Sequence, residues 1–232
     1  MQTLIVLPGL DGTGTLHGAF FDALRPLLPK AARVIAYPSD AVLSYLQLEQ
    51  LARAALPLSE PFLLLGESFS GPIALRIAAD PPPNLVGLVL STTFANKPLP
   101  LARLLAWLAR ITPVRAIPSH VFSYFLLGRW STTVLRKALQ RALSDAGPSV
   151  LRARARAALE IDVTASLGNI SVPTLALHAS EDRLLGRSAL RKLVKIRGIR
   201  VVTIAGPHLL LQSAPDACAE AIAEFATQFD GR

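Results

Sequence analysis

The segment Leu65-Gly66-Glu67-Ser68-Phe69-Ser70-Gly71 closes a short apolar run and opens a helix-like one. It approximates Gly-x-Ser-x-Gly, in which a serine rides on a sharp strand-to-helix turn. Such a turn is strained and needs small residues two before and two after the serine, because larger side chains collide there. Gly66 meets the first need, and Ser70, with Gly71 next, meets the second in place of glycine. The turn exposes the Ser68 hydroxyl. It also aims a helix N-terminus and the N–H of Phe69 at any negative charge developing on a substrate oxygen. The chemistry is nucleophilic attack. The plainer role for the same serine is a polar cap at the start of a helix.

A serine hydroxyl is a weak nucleophile unless a base takes its proton. There are four histidines: His17, His120, His178 and His208. His208 stands in Ile204-Ala205-Gly206-Pro207-His208, past the last strand-like run and before the last helix, where a loop can swing an imidazole over the sheet. A solvated loop histidine is the alternative. His178 lies inside or at the end of a strand-like run and reads as structural. His17 falls to the first helix and His120 to an inserted segment, with substrate contact open for both.

The base in turn needs a carboxylate to hold its tautomer. Asp182 follows the fifth strand-like run; Glu181 is its nearest competitor and Asp162 a distant one. A lone aspartate after a strand is commonly a turn residue. The chain order Ser68, Asp182, His208, each after a separate strand, favours Asp182 as the acid. A fourth segment, Leu7-Pro8-Gly9-Leu10-Asp11-Gly12-Thr13-Gly14, follows the first run, and its glycines let backbone approach a ligand closely. The N–H of Leu10 is the candidate partner of that of Phe69 in an oxyanion hole. A phosphate loop is the rival reading, but the segment is neither Gly-x-Gly-x-x-Gly nor a loop ending in Lys-Ser/Thr.

These residues need a scaffold that gathers loop ends. Short apolar runs at 3–8, 33–37, 61–66, 85–91, 173–179 and 199–205 alternate with helical stretches near 17–28, 42–57, 69–80, 187–197 and 214–229. That alternation predicts βα units on a parallel sheet, with ligands bound at the carboxyl ends of the strands. Residues 95–165 carry no convincing strand and are cut by Pro98, Pro100, Pro113, Pro118 and Pro148. They read as two to four helices inserted as a lid over the sheet, within one domain of residues 1–232. Trp107, Phe122, Phe125 and Trp130 supply that lid with an apolar wall, the candidate substrate-binding surface.

Composition bounds the rest. The 232 residues are 51% hydrophobic and 17% charged, too apolar for disorder and enough for a substantial core. No run of about 18 apolar residues predicts a membrane-spanning helix, and no basic region precedes the first strand as in a secretion signal. A single cysteine, Cys218, excludes an internal disulfide and a multi-cysteine metal site, so a reducing cytoplasm is the expected compartment. Cys218 itself reads as a small buried residue on the last helix.

The net charge of +8 sits entirely in residues 101–160, where ten Arg or Lys face two acids. That segment has no recognised nucleic-acid motif and alternates with large apolar residues, which argues against nucleic acid. Its arginines suit either a weak contact with a membrane surface or anionic substrate, or ordinary solvated helix faces.

Taken together, the four segments resemble the α/β-hydrolase superfamily over essentially the whole chain. Where members often read His-Gly in the first-strand loop, this chain has Pro8-Gly9. The wording Leu-Pro-Gly-Leu-Asp-Gly-Thr-Gly is similar to that of plant plastid esterase/acyltransferases of the phytyl ester synthase type. General carboxylesterases, including small pimeloyl-ester-cleaving types, are equally close in kind. The resemblance implies a serine hydrolase acting on a small-molecule carboxylic ester or thioester through an acyl-enzyme, with no metal or organic cofactor. Acyl transfer or acyl-thioester cleavage on the same site stays open, as does a non-catalytic binding protein with a decayed triad. Members usually carry two strands before the oxyanion loop; here that loop starts at residue 8, which leaves room for one. The expectation is a reduced sheet of about six parallel strands, in family order 4-3-5-6-7-8, with helices on both faces and no antiparallel leading hairpin.

Overall fold

The computed structural model describes residues 2–28, 30, 32–96, 119–185 and 187–229, with the backbone alone for residues 119–122. The apolar runs become β1 (Thr3–Leu7), β2 (Arg33–Val34), β3 (Phe62–Glu67), β4 (Leu85–Ser91), β5 (Thr174–Ala179) and β6 (Arg200–Ile204). They form one sheet in the order β2-β1-β3-β4-β5-β6, every adjacent pair parallel. Among the described residues no antiparallel strand flanks it; one antiparallel bridge, Asn96 with Asp162, lies outside it.

Side chains alternate across a strand, so a sheet buried on both faces must be apolar at every position. Ile5, Leu7, Leu64, Leu88 and Leu90 point into one layer and meet Leu48, Ala52, Ile73 and Ile77. These four come from α2 (Tyr45–Ala55) and α3 (Gly71–Ala79). Leu4, Val6, Leu63, Leu65 and Val89 point into the other layer and meet Phe20, Leu24, Ile222 and Phe225. Those four belong to α1 (Gly18–Leu24) and to a C-terminal helix, Pro215–Ala226. Burial on both faces supplies the main drive for folding, roughly 1.5–3 kcal/mol for each large apolar side chain.

Between β4 and β5 the described chain forms α4 (Ser119–Leu126), α5 (Thr133–Asp145) and α6 (Pro148–Glu160). Thr132 caps α5 by accepting from the N–H of Leu135, and Pro148 opens α6 where its missing N–H costs nothing. After β5 come α7 (Arg187–Leu193), α8 (Leu210–Ser213) and α9 (Pro215–Ala226).

Two of the boundaries that differ from the sequence pattern lie beside the site. The run at 33–37 pairs only as Arg33–Val34, because the N–H of Tyr37 leaves the ladder and donates to the Gly12 carbonyl at 2.8 Å. The last helix is preceded by a separate turn of helix, α8, which begins two residues past His208.

Candidate active site

Parallel pairing brings the loops together at one edge. β1 and β3 are in register from Thr3 with Phe62 to Leu7 with Gly66, so the loop after β1 lies beside the turn after β3. Ser68 follows the fully buried β3 and begins a 3-10 turn, Ser68–Ser70, that leads into α3. Its φ of 46° is a strained conformation for a residue with a side chain. The requirement for small neighbours is met tightly. A Cβ on Gly66 would lie 2.6 Å from the Cβ of Ala74, and one on Gly71 would collide with Thr93. The Thr93 hydroxyl donates to the Ser68 carbonyl, a strut from the end of β4 that holds the turn.

The structure brings Ser68, His208 and Asp182 into one hydrogen-bonded line. The His208 Nδ1 lies 2.9 Å from Asp182 Oδ2, and its Nε2 lies 2.7 Å from Ser68 Oγ. A carboxylate only accepts, so Nδ1 carries the proton and Nε2 is left to accept from the serine hydroxyl. The imidazole is 2% exposed. Asp182 is oriented by its other oxygen, which accepts from the N–H groups of Leu184 and Leu185, each at 2.8 Å. Burial works to raise the Asp182 pKa, but His208 and the two N–H groups outweigh it and hold the carboxyl below its ordinary value. The two loops are also tied by backbone, through Ser180 N–H to the Ile204 carbonyl and Glu181 N–H to the Gly206 carbonyl.

Residues 9–12 form a turn in which the Gly12 N–H donates to the Gly9 carbonyl at 3.1 Å. In a planar trans peptide the N–H of Leu10 points opposite to that carbonyl, away from the turn. Phe69 stands in the first turn of the helix that follows Ser68, where N–H groups lack helical partners. Its carbonyl accepts from the Tyr45 hydroxyl at 2.9 Å and its ring stacks on Tyr45 at 4.8 Å. Ser70, the residue that departs from glycine, is anchored rather than merely accommodated. Its hydroxyl donates to the Pro8 carbonyl and accepts from the Tyr37 hydroxyl at 2.7 Å. The loop after β1 is thereby bonded to the turn that carries Ser68.

The remaining candidates fall elsewhere. Glu181 holds Arg129 with both oxygens, while Asp162 caps the turn at Thr164. His178 is half-buried on β5, where burial lowers its pKa, and helps line a cavity of about 20 Å³ with Thr92, Asp182 and Leu185. Phe125 is exposed and packs edge-on against Tyr124; Arg129 lies over the Trp130 ring. Trp107 and the side chains of Phe122 and His120 lie outside the described residues. Cys218 is buried on α9, and burial pushes its thiol pKa up to about 12.

His17, at the start of the first helix, turns its side chain inward and is 1% exposed. Its Nε2 meets Glu67 Oε2 at 2.9 Å and its Nδ1 meets the Gly14 carbonyl at 3.2 Å. With Glu67 ionised both partners are acceptors, an arrangement that favours the doubly protonated ring. Burial opposes that charge, but the Glu67 carboxylate and these bonds raise the His17 pKa overall. Burial likewise opposes the Glu67 charge, yet His17 and the Gln212 amide, 2.9 Å away, bring its pKa down. Position 67 is the free position of the serine motif, and nothing in its spacing announces a buried ion pair. Arg154 is the second residue that spacing does not mark. Read as part of a charged lid face, it is instead buried against the loop after β1. Among the described residues no group of three or more His, Cys, Asp or Glu could hold a metal ion. Nor is any described helix long and apolar enough to cross a membrane.

A parallel sheet covered on both faces, with a strained serine after its third strand, defines an α/β-hydrolase. The chain belongs to the Hydrolase_4 family (serine aminopeptidase, S33), whose model matches residues 39–206. That span includes Ser68 and Asp182 and ends just short of His208. Among solved structures, the chain is similar to a hydrolase from Pseudomonas aeruginosa PA01 at 21% identity and a TM-score of 0.78, covering 97% of this chain and 89% of that one. A lipase-esterase related protein from Clostridium acetobutylicum ATCC 824 aligns at 17% identity and a TM-score of 0.82, covering 97% and 94%. The enol-lactonase from Burkholderia xenovorans LB400 aligns at 16% identity and a TM-score of 0.81, covering 97% and 91%. At these identities the likeness concerns the fold. No curated protein sequence matches the chain significantly.

Proposed function

We propose that the protein cleaves a small-molecule carboxylic ester or thioester through an acyl-enzyme on Ser68. The observation that carries this reading is the unbroken line from Ser68 Oγ to His208 Nε2 at 2.7 Å and from His208 Nδ1 to Asp182 at 2.9 Å. His208 takes the hydroxyl proton as Ser68 attacks the carbonyl carbon, and Asp182 stabilises the imidazolium that forms. The N–H groups of Leu10 and Phe69 receive the oxyanion. His208 then gives its proton to the leaving alcohol or thiol, and a water, deprotonated in turn by His208, releases the acid and restores Ser68.

The test is Ser68→Ala on a panel of short p-nitrophenyl esters and acyl-thioesters, beside labelling by a fluorophosphonate. The expected result is loss of turnover by about 10⁴–10⁶ and loss of labelling, with the melting temperature preserved. Turnover equal to wild type would remove the nucleophile assignment. A wild-type chain that neither turns over the panel nor reacts with the probe would favour a binding protein.

A further inference from the structure

The loop that presents Leu10 is gripped from the far side by one buried cation. Arg154, in the middle of α6, is 2% exposed. Its Nη1 donates to the Leu10 carbonyl at 3.1 Å and the Asp11 carbonyl at 2.7 Å, and its Nη2 donates to the Pro38 carbonyl at 2.9 Å. Leu10 and Asp11 are the two central residues of the turn closed by Gly12 N–H and the Gly9 carbonyl. Both central carbonyls of that turn are therefore held by one guanidinium.

Three further observations show that the position is built for this contact. The Asp11 carboxylate does not pair with Arg154; it accepts from the N–H and hydroxyl of Thr13 at 2.9 and 2.6 Å. Among the described residues Arg154 makes no ion pair, so its charge is met by backbone carbonyls. Gly12 has φ 75°, and a Cβ there would lie 2.3 Å from Arg154 Nη1, so only glycine leaves the guanidinium its place. The guanidinium also lies 5.5 Å over the Tyr37 ring, whose hydroxyl bonds to Ser70, which in turn bonds to the Pro8 carbonyl. Pro8, Leu10 and Asp11 thus have every carbonyl tied, two of them to a helix of the inserted segment.

We propose that Arg154 is a positioning residue for the oxyanion loop. It fixes the turn that aims the Leu10 N–H and couples the inserted helices to transition-state stabilisation. The assignment rests on the acyl-enzyme reading above. One guanidinium nitrogen holds the two turn carbonyls while the other reaches Pro38, a spread that the single nitrogen of an ammonium does not cover. Loosening the turn misplaces a donor that acts in the transition state more than in the bound substrate, so the loss belongs in kcat.

The experiment compares Arg154→Met and Arg154→Lys with wild type on one p-nitrophenyl ester. It reads kcat, KM, inhibition by an alkyl boronic acid as a tetrahedral mimic, and melting temperature, with Ser68→Ala alongside. The expected result for Arg154→Met is kcat lower by about 10–100-fold, KM within about twofold, and boronate affinity weakened by the same factor as kcat. Arg154→Lys falls between Met and wild type. A folded Arg154→Met with unchanged kcat, or one whose loss lies wholly in KM, overturns the proposal. Should Arg154→Met not fold, Arg154→Lys decides by the same readings; failure of both to fold assigns Arg154 to stability and also overturns it. If Ser68→Ala retains turnover, the underlying acyl-enzyme reading fails instead, whatever the Arg154 variants do.

Discussion

Every side chain at the site has its proton state set by the partners around it. Asp182→Asn illustrates this. The Asp182 oxygen that accepts from Leu184 and Leu185 must stay an oxygen, which turns the new amide NH2 toward His208. Nδ1 then has to accept, the ring proton moves to Nε2, and the imidazole can no longer take the Ser68 proton. The expected outcome is a fall in kcat of roughly 10⁴ with little change in melting temperature. Ser70→Ala tests the other departure from the pattern. It strips the Tyr37 hydroxyl of its partner and the Pro8 carbonyl of its donor, at a cost of about 1–3 kcal/mol readable by urea unfolding.

The buried His17–Glu67 pair has a definite pH signature. The His17 pKa is raised above its ordinary 6.5, so its contribution is full below 6.5 and is lost as pH climbs through the raised value. The Glu67 pKa is lowered below its ordinary 4.5, so its contribution is full above 4.5 and is lost as pH drops through the lowered value. Stability from the pair is therefore greatest between 4.5 and 6.5. Melting curves of wild type and His17→Leu should differ most in that window, by about 3–5 kcal/mol, and the difference should narrow on the alkaline side. A difference that keeps growing as pH rises above 6.5 would contradict the assignment.

At the scale of elements, the nucleophile turn depends on how closely α3 approaches β3. Gly66→Ala places a methyl 2.6 Å from Ala74 and 3.1 Å from the Gly71 backbone, where only movement of α3 can relieve it. The expected cost is about 1–3 kcal/mol in denaturant unfolding, together with lower turnover as Ser68 shifts from His208. The edge strand shows the opposite compromise. Ile35 still donates to Val6, but Tyr37 gives up the ladder for the Gly12 carbonyl, so β2 is short because its end supports the loop after β1. The inserted helices have a similar double role. The Leu126 carbonyl at the end of α4 accepts from Leu209 N–H, beside His208, while α6 delivers Arg154 to the opposite side of the site.

Over the whole molecule, the parallel sheet sends the loops after β1, β3, β5 and β6 to one edge, so residues far apart in the chain meet there. The charge asymmetry is less uniform than its total suggests. Of the ten cations in residues 101–160, Arg154 is buried, Arg129 holds Glu181 and Arg156 holds Glu160. Arg136, Lys137 and Arg141 are exposed on α5. We propose an anionic substrate or carrier as the partner of that face. Raising ionic strength should then increase KM for anionic esters more than for neutral ones, and equal effects would return these cations to ordinary solvated surface.

What the linear order of residues determined was whatever depends on local pattern. Short continuous apolar runs specified the six strands, and small residues around Ser68 specified the turn. Positions just past strands then nominated His208, Asp182 and Leu10, because a parallel sheet delivers such positions to one rim. Tertiary structure alone decided the partnerships. That His17 is buried against Glu67, that Ser70 holds the Pro8 carbonyl, and that Arg154 grips a turn more than 140 residues earlier in the chain are facts of close approach. A buried charge is defined by the acceptors around it, and those come from elements that sequence spacing does not place next to it.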